Sequence, residues 1–126
     1  VKIYKDSILA MNETISEMRL FDLQFDDEAL EYFEIQGYDS MSLIPFIKDE
    51  LYKLNEYQGD VHPMVPYISK TKGKMMINSV RLLNHKWLVA NFTDGKNWGQ
   101  MFLTYEIIDG KQLKFSLKEH FMYPKD

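Results

Sequence analysis

The chain has 126 residues, a length suited to one domain with its own core. At 45% hydrophobic and 14% aromatic the composition excludes wholesale disorder, and with no cysteine the chain has no disulfide, thiolate metal site or cysteine nucleophile. The net charge of −4 is unevenly spread: residues 1–60 carry fourteen acids and five bases, whereas residues 61–126 carry five acids and ten bases.

No apolar run approaches the roughly 18 residues of a membrane span, so membrane insertion is not expected. The chain opens at Val1 without a signal-peptide pattern, which fits a cytoplasmic protein or one exported by a signal further upstream. The densest basic run is Lys70-Thr71-Lys72-Gly73-Lys74. It reads as a solvated loop, too small for a nucleic-acid groove.

The first half reads as helical. Over residues 6–20, Ile8, Met11, Ile15 and Met18 fall at 3-4-3 spacing on one stripe, with Asp6 or Ser7 as cap. A second helix follows Asp26, with acids in its first turn, Ala29, Leu30 and Phe33 on its apolar side and Gly37 as its stop. Glu28, Glu31 and Glu34 should face water. The third and longest helix carries Ile44, Ile47, Leu51 and Leu54. Pro45 suits only a first turn, so this helix is expected to start near Ser42, capped by Ser42 or Ser40. Two Gly and two Pro then break regular structure over residues 58–74, with an extended piece at 65–68.

From Met75 the period changes to two. A first strand is expected over 75–83 with Met76, Val80 and Leu82 on one face. Asn84-His85 forms a tight connection. A second strand over 86–92 is apolar on both faces and therefore central, with Trp87 in the core. Asp94-Gly95 supplies a type I′-favouring turn. A third strand over 98–108 aligns Met101, Leu103, Tyr105 and Ile107. Asp109-Gly110 makes a second turn. A fourth strand over 112–119 turns Leu113, Phe115 and Leu117 inward, leaving Lys111, Lys114 and Lys118 solvated.

The expected fold is a single α+β domain over residues 1–126, with N-terminal helices packed on a C-terminal antiparallel meander of three or four strands. This order of elements resembles the general plan of cone-shaped domains of the nuclear-transport-factor-2-like fold. The resemblance is one of order, and no functional residue is carried over from it.

No catalytic set, cofactor motif or metal-ligand spacing is legible, and the reading leans away from an enzyme. His62, His85 and His120 read as surface or turn residues. The aromatic-rich sheet half offers the better lead. Trp98 follows a turn, where an indole bridges apolar and wet surroundings. Tyr105 could bring its hydroxyl to a sheet edge or pocket mouth. Asp94 and His120 are singled out beside them because a lone buried carboxylate or histidine with a shifted pKa could act as a base. Trp98, Tyr105, Asp94 and His120 are thus the candidate contact residues, with no catalytic or metal role assigned. The first expectation is a non-catalytic binding domain contacting a protein partner. The alternative is a pocket between helices and sheet for a small apolar or aromatic ligand, in which one of the titratable groups serves as a base. Self-association is left undetermined.

Overall fold

The computed structural model describes residues 17, 19–108 and 112–124. The helix expected over 6–20 lies almost wholly outside these residues, as does the second Asp-Gly turn. The remainder is an N-terminal helical region packed on a four-stranded antiparallel sheet in the order β1-β2-β3-β4, not closed into a barrel.

Helix α1 is Asp27–Ile35. Its cap is the expected one: the Asp26 carboxylate accepts from the Ala29 N–H at 3.1 Å. Gly37 follows at φ +92°, the left-handed stop that a side chain would resist. Ala29 and Phe33 are buried, and Glu28, Glu31 and Glu34 are exposed as expected.

Helix α2 is Ser40–Tyr52, and it starts earlier than the sequence suggested. Asp39, not a serine, is the cap. It accepts from the Met41 N–H at 3.2 Å and from the Ser42 hydroxyl at 2.8 Å. Pro45 therefore lies inside the helix. Its missing N–H deprives the Met41 carbonyl of the usual helical donor, on an exposed turn that water can reach. The buried stripe is Leu43, Ile47 and Leu51, so Leu43 takes the place expected of Ile44, which is half-buried. The buried Ser40 hydroxyl donates to Glu34 at 3.1 Å and ties the two helices.

The strands are β1 Met76–Leu82, β2 Trp87–Thr93, β3 Trp98–Ile108 and β4 Gln112–Met122. Simple alternation would set Met76 on the same face as Val80 and Leu82, but β1 carries a bulge. Ile77 pairs with Phe92 and Ser79 with Asn91, so Asn78 is an extra residue. The bulge turns Ile77 inward and Met76 out to solvent, while Leu82 stays in the core. A second bulge lies in β4. Phe102 pairs with Glu119 and Leu103 with Leu117, so Lys118 is extra. Residues 65–68 form no strand of the sheet. The edge of β1 is met instead by the Asn55 amide, which accepts from the Ile77 N–H and donates to the Ile77 carbonyl, both at 2.8 Å.

The core lies between the helices and one face of the sheet. Ile47 and Leu51 meet Leu88, Phe92, Met101 and Leu103 there. Burying each such side chain stabilises by about 1.5–3 kcal/mol. His62 joins them, contrary to the expectation of a surface position: it is 2% exposed. Its Nδ1 accepts from the N–H groups of Met64 and Val65 at 3.0 and 3.2 Å. Nε2–H is therefore the donor to Asn55 Oδ1, at 2.9 Å. Burial pushes the His62 imidazole below its ordinary value, so the neutral ring is the native form. A buried polar ring is tolerable because each nitrogen has a partner.

Candidate binding surface

Among the described residues, the helices cover one sheet face only. The register places Trp98, Gln100, Phe102 and Thr104 of β3 on the opposite face. Their cross-strand partners are Thr93, Asn91, Val89 and Trp87 on one side, with Phe121, Glu119 and Ser116 opposite Gln100, Phe102 and Thr104 on the other. Trp87 is therefore not a core residue, as its strand's apolar character suggested. It is 42% exposed and lies 5.7 Å from the Phe102 ring. In an antiparallel strand each side chain takes the face opposite to its neighbour, and Leu88 has taken the inner one.

One corner of this open face concentrates aromatics. The Trp98 ring stacks on Tyr123 at 4.3 Å, and Phe121 meets Tyr123 edge-on at 5.0 Å. Exposures of 52% for Trp98, 45% for Phe121 and 37% for Tyr123 leave much of this area to solvent. The middle of the face carries amides and hydroxyls, from Gln100, Asn91 and Thr104, while Arg81 and Glu119 stand on the two outer strands.

The four candidate residues do not converge on one point. Trp98 and Asp94 flank the same hairpin loop, since Thr93 pairs with Trp98. Asp94 is buried beneath that loop. Its carboxylate accepts from the N–H groups of Lys96 and Asn97 at 2.9 and 2.7 Å and from the Ser69 hydroxyl at 2.8 Å. Burial pushes the Asp94 carboxyl up, but the hydrogen bonds from Asn97, Lys96 and Ser69 outweigh it and hold the group well below the ordinary carboxylate range. Such a group is a fixed anion and a poor base at neutral pH. The turn is also not type I′. Gly95 has φ +99° but Asp94, the other central residue of the expected turn, does not take positive φ, and its side chain organises the loop instead.

His120 pairs with Met101 on the helix-covered side of the sheet, and its Nδ1 lies 3.0 Å from the Tyr67 hydroxyl. The Tyr67 ring in turn stacks on Phe92 at 5.5 Å. Tyr105 sits toward the far end of β3, roughly 24 Å along the strand from Trp98. It is buried and donates to the Asn84 carbonyl at 2.6 Å. Burial raises its phenol well above the ordinary value. Tyr105 also lines a hollow of about 390 Å³ at that end of the sheet, beside Tyr32 and His85.

Among the described residues, no group of three or more His, Asp or Glu could hold a metal ion, and no helix is long and apolar enough to cross a membrane. Phe121 is a contact that the sequence does not disclose. Strict alternation from Leu113 to Leu117 would turn it inward, and the Lys118 bulge turns it out. The fold and surface define a small α+β domain with one sheet face left uncovered by the described residues. No protein-family model, curated protein or solved structure matches the chain.

Proposed function

We propose that this is a binding domain that engages a protein partner through the open sheet face. The observation that carries this reading is the exposed aromatic set on that face, led by Trp98, Phe121 and Trp87. Interface centres are enriched in such aromatics and depleted of charge, with polar groups at the rim. From Trp98 to Thr104 this face has that arrangement: uncharged rings and amides inside, Arg81 and Glu119 on the outer strands, and the paired Glu106 and Lys114 at the far end. Rings already in water on the folded domain add apolar area to association without any refolding. Asp94 acts in this reading as the scaffold of the hairpin that presents Trp98.

The test is site-specific photo-crosslinking in the source cells. A crosslinking amino acid replaces Phe121 or, as a control on α1, Glu31. A discrete adduct with another protein from position 121 and none from position 31 is the expected result. Adducts that form equally from both positions, or only between copies of this chain, would overturn the reading.

A further inference from the structure

A second feature lies beside the aromatic corner and does not depend on the open-face reading. Two hollows meet at Lys70 and Thr71, which line both. The first, about 700 Å³, is lined by Tyr67 and Tyr123 together with Pro66 and Pro124. Each tyrosine is backed by another ring: Tyr67 by Phe92 and Tyr123 by Trp98. The second, about 720 Å³, is ringed by Lys70, Lys72 and Lys96, with Asp94 as its acid.

The floor of the basic hollow is firmly built. Ser69 Oγ donates to Asp94 at 2.8 Å and accepts from the Thr71 N–H at 3.2 Å, and Thr71 Oγ1 accepts from the Gly73 N–H at 3.1 Å. Gly73 lies so close to the hairpin that a Cβ there would stand 2.4 Å from the Asp94 carbonyl oxygen. The Asp94 carboxylate is occupied by the Lys96 and Asn97 amides and the Ser69 hydroxyl rather than by a lysine ammonium. The ion pairs seen among the described residues, Lys53–Glu50 and Arg81–Asp22, lie elsewhere. Three ammonium groups against one carboxylate leave two positive charges in the hollow. A phosphate monoester dianion carries the matching charge, and lysines bind phosphate as point charges. The adjoining hollow suits a flat apolar group, because its tyrosine rings are each held by a second ring and offer faces for stacking.

We propose that the joined hollows bind a phosphate monoester carried on a flat apolar body, the phosphate between Lys70, Lys72 and Lys96 and the body between Tyr67 and Tyr123. Nucleoside monophosphates and aryl phosphates share this chemistry.

Calorimetric titration of the full chain tests it with four probes: adenosine monophosphate, phenyl phosphate, inorganic phosphate and adenosine. At least one ester is expected to bind about tenfold or more tightly than either inorganic phosphate or adenosine, since each half-site adds its own contacts. Binding of one ester alone identifies the source, and binding of both leaves the shared chemistry standing. The double variant Lys72→Glu/Lys96→Glu should lose about tenfold or more of that affinity with an unchanged melting temperature, and Lys72→Gln/Lys96→Gln should lose less. Tyr123→Ala should weaken the esters and leave inorganic phosphate unaffected. Failure of both esters to bind, equal binding of inorganic phosphate, or full affinity in the folded Lys72→Glu/Lys96→Glu variant would each overturn the proposal.

Discussion

The substitution His62→Asn and a fall in pH together isolate one buried group. In the native chain Nδ1 has no proton and serves two N–H donors, while Nε2–H serves Asn55. The unfolded chain binds a proton on this ring near the ordinary value of 6.5, and the native chain does so only at lower pH. Between the two values the unfolded state carries the protonated ring and the native state the neutral one, so the unfolded state binds more protons and acid favours unfolding. The stability contributed by the neutral ring is complete above pH 6.5 and is lost as pH falls toward the lowered native value. Within that window one such group changes stability by up to about 1.4 kcal/mol per pH unit. The amide of the variant could still accept from the Met64 and Val65 N–H groups through its oxygen, as such side chains do in turns. It would lose the Asn55 contact and the ring's packing, at a cost of about 1–3 kcal/mol at a pH of about 7.5. Urea unfolding of both proteins from about pH 7.5 to about pH 5.5 is the assay. The wild-type curve should fall more steeply below pH 6.5 and converge on that of the variant. Subtraction removes every contribution common to both proteins. Parallel curves across this range would refute the reasoning.

Other expectations follow from contacts of the same kind. Gly99→Ala would set a Cβ 2.2 Å from the Phe121 carbonyl oxygen and 2.7 Å from the Phe92 ring, so β3 and β4 must part there. The loss should be about 1–3 kcal/mol by thermal or urea melting. Asp94→Ala removes the acceptor of the Lys96, Asn97 and Ser69 donors and should cost about 2 kcal/mol or more. In the wild type this contribution is present above the ordinary carboxyl value of 3.8 and is lost as pH falls through the lowered native value. Tyr105→Phe leaves the Asn84 carbonyl without its donor and should cost about 1 kcal/mol. Ultraviolet titration of the wild type should find this phenol still protonated above the ordinary tyrosine value of 10.0. Trp98→Ala removes a stacking partner of Tyr123 from an exposed site. It should cost no more than about 1.5 kcal/mol by melting, yet abolish partner crosslinking from position 121.

The class of fold and the order of its elements were legible in the sequence because they rest on local rules. The spacing of Ile44, Ile47 and Leu51 and the Asp26 cap mark the two described helices, and the alternation from Met101 to Ile107 marks a strand. The candidate site was less legible. Trp98 at a hairpin end follows from local pattern, and the structure leaves it 52% exposed. The separation of Trp98 from Tyr105 follows from strand length alone.

Phase and partnership, by contrast, were settled by packing. A bulge adds one residue without any mark in composition, and it inverts every side chain beyond it. Asn78 thereby exposes Met76, and Lys118 sends Phe121 to the open face and His120 toward Tyr67. Trp87 and Leu88 are equally apolar in sequence, and only the position of the helices settles which is buried. His62 reads as a polar loop residue until Asn55 and the Met64 and Val65 amides gather around it. Local sequence sets dihedral preferences and periodicity, whereas burial and hydrogen-bond partnership depend on residues far away along the chain, which come together only when the sheet and helices pack.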